Sequence, residues 1–283
     1  MIDLPRCIAM RNQTADSCLE HDVIQQEVEA RLLDQLQFIR HQPKTLLELG
    51  CSTGRLAEQL CAHYPGLSTY IGCDISAERL PKNTAQQTYK LQITPDAIDQ
   101  ALGTVDLVIA NLYWHWVDDM PALLSRVQSI LAPGGLLLFT TFGLQTLQEL
   151  KQAWRAVDTH AHVQNFDDMH DLGDAVLAAG FADPVLFNDT LTVEYRALKT
   201  LFADLKGQGA GFCHVESMRH VLSRARYAAL CAAYPQREGI YPASFEIIYG
   251  QAWKAEDRDR ATLNDQGEAA VKIERIQRRT GSD

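Results

Sequence analysis

The chain is expected to form an α/β fold in which helices pack on a parallel sheet. Strand-like and helix-like segments alternate from Lys44 to Phe142, which is the pattern of βαβ units. The first strand runs into a turn of small residues and then a helix, ELGCSTGRLAEQL. The length of 283 residues, with 46% apolar and 22% charged side chains, can bury a substantial core without staples. It excludes a chain that is mostly disordered or fibrous. Length alone fits two domains or one large domain with a cap.

Residues 22–40 place Ile24, Val28, Leu32, Leu36 and Ile39 on one helical stripe, with Pro43 as the expected stop. KTLLELG (44–50) reads as a short buried strand. RLAEQLCAHY (55–64) reads as a helix stopped by Gly66, and TYIGCD (69–74) as a second strand ending in an acid. TYKLQI (88–93) and VDLVIA (105–110) are further strands with a short helix between them. PALLSRVQSILA (121–132) is helical, Pro133-Gly134-Gly135 a turn, and LLLFTTF (136–142) a strong strand.

The second half reads differently. Residues 144–157 and 169–180 look helical, 184–195 alternate like a strand, 196–206 and 219–234 look helical, and 243–253 form a final strand. Residues 254–283 hold seven basic and seven acidic side chains and no aromatic one, the composition of a mobile tail with a frayed helix at most. The expected organisation is a helical lid at 1–43, a main domain at 44–253 with a helical insertion near 196–235, and a charged, disordered tail at 254–283.

No apolar run approaches the roughly 20 residues of a membrane span, and MIDLPRCIAMRNQTADS lacks a signal-peptide core. The seven cysteines, at 7, 18, 51, 61, 73, 213 and 231, are scattered and never spaced CxxC. That points to reduced thiols in a cytoplasm, not to a disulfide frame or a zinc site. A net charge of −10 argues against nucleic acid as a partner, and an acidic partner would need a local basic patch. A cytoplasmic monomer is expected.

The sharpest signal is Glu48-Leu-Gly-Cys-Ser-Thr-Gly54, between a strand and a helix. Such a turn needs residues without bulk so that the backbone can approach a ligand at the sheet's carboxyl edge. Asp74, with Ile75 beside it, ends the next strand, where an acid can accept hydrogen bonds from both ribose hydroxyls. The Gly-x-x-x-Gly spacing is not that of a nicotinamide dinucleotide site, and no Gly-Lys-Ser/Thr of a P-loop follows. Glu48 stands where it could pair with an amino group. A ligand with a ribose, an amino acid and no phosphate fits, and S-adenosylmethionine is one; a generic strand–turn–helix is the plain alternative. Asp96, next to Ala97, could bond an adenine amino group or cap a helix.

ELGCSTG, the strand-ending Asp74, and VDLVIANLYWHWVDD followed by LAPGGLLLFTTFG together resemble a class I S-adenosylmethionine-dependent methyltransferase. NLYWHWVDDMPALL, LLLFTTFGLQTLQEL, FDDMHDLGDAVLAAGFADPV and YPASFEIIYGQAW narrow the resemblance to the malonyl-acyl carrier protein O-methyltransferases of biotin synthesis, over about residues 44–253. The resemblance implies a Rossmann-like, mostly parallel seven-stranded sheet with helices on both faces and a helical cap. It also implies methylation of the free carboxylate of a malonyl thioester on acyl carrier protein, or on malonyl-CoA. The chain departs from the family in three places. Ser52 replaces the central loop glycine. RNQTADSCLEHD lacks the family's N-terminal aromatics, Cys18 standing near the expected Tyr, and residues 209–227 hold fewer arginines. A methyltransferase for another small acceptor, and a non-methylating relative of the assembly-hydroxylase type, remain open at this point.

A malonyl carboxylate is ionised at pH 7, so no general base is obligatory; positioning and exclusion of water remain. Tyr113, Trp114, His115 and Trp116 follow the fourth strand, where ring faces can stabilise a sulfonium. Tyr113 and His115 are the candidate positioning residues, Trp116 is read chiefly as core, and Asn111 could bond the methionine part or the acceptor. His115 is an alternative base for another nucleophile. Cofactor candidates are Glu48, Gly50, Cys51, Ser52, Gly54, Asp74, Ile75, Asp96, Ala97 and Asn111. Arg219, Arg224 and Arg226 are the candidate carrier-binding cations. Asp167, Asp168, His170 and Asp171 read as a helix start and not a metal site, and His160 and His162 as solvated loop residues.

Overall fold

The computed structural model describes residues 1–84, 88–94, 97–98, 102–211, 213 and 222–256. Seven strands form one sheet: β1 (Thr45–Leu49), β2 (Thr69–Asp74), β3 (Thr88–Gln92), β4 (Val105–Ala110), β5 (Leu131–Phe142), β6 (Phe181–Tyr195) and β7 (Tyr241–Lys254). Their order is β3-β2-β1-β4-β5-β7-β6. The first five strands pair in parallel, and β7 lies antiparallel between β5 and β6. This is the mostly parallel seven-stranded sheet that the resemblance implies.

Eight α-helices stand among the described residues: α1 (Leu4–Gln13), α2 (Val23–Leu36), α3 (Arg55–His63), α4 (Met120–Ile130), α5 (Gln148–Arg155), α6 (Met169–Ala178), α7 (Leu198–Gly207) and α8 (Arg224–Ala233). The period of two along the strands sorts their side chains between two layers. Leu47, Leu49, Val108, Ala110, Leu137 and Phe139 face α4 and α6. Leu46, Leu107, Ile109, Leu136 and Leu138 face α2 and α3. The far ends of β6 and β7 pack with α5, α7 and α8 in a third cluster. None of the described helices is long and apolar enough to cross a membrane.

Most boundaries shift by a few residues from the sequence reading, and three of the shifts have a readable cause. α2 stops at Leu36, well before Pro43. The Asp106 carboxylate accepts the amides of Lys44 and Thr45 at 2.8 and 2.9 Å, which draws the chain off the helix axis into β1. Pro133-Gly134-Gly135 is not a free turn but an irregularity inside β5, where the pairing with β4 jumps from Val105–Leu131 to Leu107–Leu136. Gly134 bends there with φ +73°. The last strand reaches Lys254, which pairs with Phe181. The expected tail lies almost wholly outside the described residues, as does most of the short helix expected between β3 and β4.

One contact links the sheet to the segment after β4. Gly250 sits opposite Phe139 in the β5–β7 pair, and a Cβ on Gly250 would stand 2.1 Å from the ring. Phe139 stacks on Trp114 at 3.6 Å with the planes 16° apart. Trp114 opens the short 3-10 turn Trp114–Trp116, flanked by Tyr113 and containing His115. Gly250→Ala is therefore expected to push Phe139 off its stack and cost about 2 kcal/mol, within the usual range for overpacking. Chemical denaturation of the variant against the wild type reads the difference.

Candidate active site

The turn after β1 is bent by three residues with positive φ, Gly50 (+78°), Ser52 (+48°) and Gly54 (+87°). At Gly50 a Cβ would meet the Tyr113 ring at 2.6 Å, so only glycine allows that ring to lie on the backbone. Ser52 holds a left-handed conformation that costs an L-residue roughly 1 kcal/mol. Its neighbours offset the strain. The Ser52 amide donates to Asp74 Oδ2 at 3.0 Å, and Arg79 Nη1 donates to Ser52 Oγ at 3.3 Å. The amides of Gly50 and Cys51 both donate to the Cys73 carbonyl, which pins the bend to the end of β2.

A cavity of about 550 Å3 opens at the carboxyl ends of the strands, where ligands of open α/β sheets bind. One part of its wall is the bend, with Glu48, Gly50, Cys51, Ser52, Asn111 and Tyr113. Another is aromatic, with His115, Phe142, Trp154, Phe166 and Phe245. The N-terminal segment and the insertion close it together. His21 Nδ1 pairs with Asp204 at 2.8 Å, Gln208 Nε2 donates to the Cys18 carbonyl at 2.7 Å, and Arg79 Nη2 reaches both Thr14 Oγ1 and the Gln208 carbonyl.

Several expected site residues stand elsewhere. Asp74 is 1% exposed and off the cavity wall. Its Oδ1 accepts the Ser76 amide at 2.8 Å, and its Oδ2 accepts Arg11 Nη2 at 2.8 Å besides Ser52. Helix α1 thus sets an arginine against the carboxylate expected to hold a ribose. Ile75 is buried with Cys7, Trp116 and Cys213 under that helix. Gly54 turns away from the cavity, because a Cβ there would meet Asn83 at 2.3 Å. Ala97 does not line the wall, and Asp96 lies outside the described residues. Asn111 is at the wall, its Oδ1 already accepting Thr140 Oγ1 at 2.6 Å.

The basic stretch is redistributed as well. Arg226 is no free cation. It pairs with Asp158 and lies 5.7 Å over Trp154, so it latches α8 to α5. Burial opposes ionisation of Asp158, but hydrogen bonds from His162, the His160 amide and Arg226 hold its pKa down at about 2. His162 is not a solvated loop residue, since it stacks on Trp154 at 3.7 Å and lines the cavity. Arg224 is exposed at the start of α8, and Arg219 lies outside the described residues. Asp168 caps α6, accepting the His170 amide.

Burial sets the protonation of the wall. Desolvation, with the nearby Glu29 and Asp74 charges, pushes Glu48 up to about 8, against a hydrogen bond from Tyr70 Oη. Glu48 is therefore mostly neutral at pH 7. His115 is pushed down to about 3 by desolvation and by the Arg11 charge, and its buried Nδ1 has no partner. Burial holds its imidazole neutral, which counts against its serving as a poised general base.

Sequence reasoning missed Arg11, Arg79, and the group in which Arg55 pairs with Asp22 and Glu29. The readable signal for Arg11 was Asp3-Leu-Pro5, where Asp3 caps α1 with Pro5 in its first turn. That places Cys7 and Arg11 one turn apart on the same face.

The α/β sheet carries a shaped cavity at the glycine bend, and residues 23–183 match the model of the methyltransferase domain family, which sets the class. The chain is 35% identical over 263 residues to the malonyl-[acyl-carrier protein] O-methyltransferase of Gallionella capsiferriformans, covering 88% of this chain and 89% of the relative. It is 33% identical to that of Halorhodospira halophila, covering 97% and 96%. The chain belongs to the malonyl-[acyl-carrier protein] O-methyltransferase family. Solved structures show the same fold. YcgJ of Bacillus subtilis superposes with a TM-score of 0.56 at 14% identity, covering 80% of this chain and 99% of that one. A SAM-dependent methyltransferase of Thermotoga maritima does so with 0.51 at 15% identity, covering 88% and 99%.

Glu48 gives a pH test. Because its folded pKa is raised from 4.5 to about 8, its contribution to stability is fully present below about pH 4.5 and is lost as the pH climbs through 8. Glu48→Gln keeps a partner for Tyr70 and does not titrate. The variant is expected to gain stability over the wild type as pH rises, by about 3 kcal/mol at pH 7. Denaturation midpoints between pH 5 and 8 measure that divergence.

Proposed function

We propose that the cavity binds S-adenosylmethionine along the Gly50–Gly54 bend and that the chain methylates the free carboxylate of a malonyl thioester held on acyl carrier protein. The observation that carries the acceptor is the likeness to relatives of that name along nearly their whole length. The donor rests on the site itself. Gly50 lets the Tyr113 ring lie against the bend, and the wall there combines buried polar groups with an aromatic face.

Bound S-adenosylmethionine would supply the methyl group on a sulfonium. Glu48 stands to face its ammonium, Asn111 its methionine arm, and the backbone of Gly50, Cys51 and Ser52 its length. Asp74, with Ile75 beside it in the chain, would take the adenosyl end once α1 yields, and Ala97 stays a candidate for the adenine. Tyr113, held on Gly50, and His115 orient the acceptor. A malonyl carboxylate is already ionised, so the neutral His115 is no handicap: it would donate or accept one hydrogen bond without taking a proton. The Phe142, Trp154 and Phe166 rings exclude water, which weakens the solvation of the carboxylate before the opposite charges cancel. For the carrier, Arg224 and Arg219 remain the candidate contacts, whereas Arg226 is committed to Asp158.

Mass spectrometry of purified protein incubated with S-adenosylmethionine and malonyl-carrier protein is expected to show one added methyl on the carrier, and none on acetyl-carrier protein. Asp74→Ala should weaken nucleoside binding at least about tenfold, the loss of about one charge-assisted hydrogen bond. Unmodified malonyl-carrier would overturn the acceptor. Arg224→Glu is expected to raise KM for the carrier in a salt-dependent way with kcat unchanged; an unchanged KM would remove Arg224 from the docking face.

A further inference from the structure

The cavity wall beside the bend holds two buried guanidinium groups, Arg11 and Arg79, with one buried carboxylate, Asp74, behind it. Arg11 is 9% exposed and Arg79 2%, and both line the cavity. Asp74 serves Arg11. Arg79 makes no ion pair with the described residues. Its donors go to the Arg11 carbonyl, Ser52 Oγ, Thr14 Oγ1 and the Gln208 carbonyl. The other carboxylates on this wall are engaged elsewhere: Asp22 and Glu29 by Arg55, Asp204 by His21, and Glu48 by the Tyr70 hydroxyl. Arg11 also keeps one buried donor, Nε, with no partner. A buried charge in excess is costly until an anion completes it.

The same arginine obstructs the ribose. A carboxylate has about four acceptor positions, and Asp74 spends three on Ser76, Ser52 and Arg11. Two ribose hydroxyls cannot both be bound while Arg11 stays. Arg11 is the one partner of the three that is a side chain, and it sits near the end of α1, beyond Cys7, so it can turn away while the Ser76 and Ser52 amides stay fixed. Where it can go depends on what the ligand brings.

We propose that Arg11 is an exchangeable counter-ion: in the empty chain it closes the ribose position by pairing with Asp74, and on binding it passes to the carboxylate of the nucleoside's amino-acid arm. This rests on the methyl-donor reading above. Arg11 thereby becomes a specificity-determining residue. A ligand with both ribose and carboxylate displaces it at no loss of ion pairing, and a ligand with the ribose alone leaves a guanidinium without a partner. The chain would then refuse the cleavage products of its own donor, which keep the adenosyl part and lose the amino-acid arm.

Isothermal titration of the full chain with S-adenosylhomocysteine and with 5′-methylthioadenosine tests it. The wild type is expected to bind the first at least 30-fold more tightly. In R11Q the first should weaken and the second tighten at least threefold, so that the ratio falls below about fivefold, and R11K should fall between. Thermal unfolding of each variant confirms that it is folded, and the wild-type ratio stands without any variant. No binding of S-adenosylhomocysteine to the wild type would overturn the methyl-donor reading and this inference with it. Binding with a wild-type ratio near one, or with a 5′-methylthioadenosine affinity that R11Q leaves unchanged, would overturn the exchange alone.

Discussion

The molecule is organised around a carboxylate that the sheet buries. Asp74 ends β2 with 1% of its surface exposed, and a charge so placed must be surrounded by donors. Two are backbone amides, of Ser52 and Ser76, which fix the bend after β1 and the turn after β2 relative to each other. The third is Arg11, which brings α1 down on the sheet edge. Arg79 then ties α1, the bend and the insertion together, with hydrogen bonds to Arg11, Thr14, Ser52 and Gln208. One charge at a strand end thus draws three distant parts of the chain to one place.

The remaining wall is fixed by shape. Gly250 makes room for Phe139, Phe139 stacks under Trp114, and Trp114 sets the turn that presents Tyr113 and His115. Tyr113 in turn fills the space that Gly50 leaves empty. Rings meeting glycines leave almost no rotameric choice, so this wall is rigid in the way a site that only positions its substrates requires. The roof is different. It is held by two partly exposed ion pairs, His21–Asp204 and Arg226–Asp158, and by one hydrogen bond from the Gln208 side chain to the Cys18 carbonyl, contacts easier to part.

The frame was legible in the sequence because it is written in local patterns. Apolar runs of five or six residues became β1, β2 and β4, and the glycine bend lies at the edge where the cavity opens. Elements missed by a few residues were those decided by tertiary contacts, such as the end of α2, where Asp106 gathers two amides. Among site residues, those adjacent to strand ends, Glu48, Gly50, Cys51 and Ser52 on one side and Asn111, Tyr113 and His115 on the other, are brought together at one cavity. Those missed come from far along the chain. Arg11 and Asp74 lie 63 positions apart, and no spacing rule links them. Arg226 read as an open cation because sequence cannot reveal that Asp158 and Trp154 fold against it.

Protonation ties these facts to the proposed ligand. In the empty chain Glu48 keeps a proton since burial and the charges of Glu29 and Asp74 outweigh the Tyr70 hydrogen bond, while Arg11 spends its charge on Asp74. An amino-acid arm entering beside the bend carries one cation and one anion. Its ammonium would favour ionised Glu48, since an opposite charge at short range offsets desolvation. Its carboxylate would compensate Arg11 as that side chain leaves Asp74. In the proposed mode each half of the arm would face a group of opposite charge, ionised Glu48 or Arg11, so a zwitterion would suit the wall better than a lone cation or a lone anion. A neutral nucleoside would meet Asp74 already engaged and Glu48 already protonated, and would gain only what its rings and hydroxyls can bury.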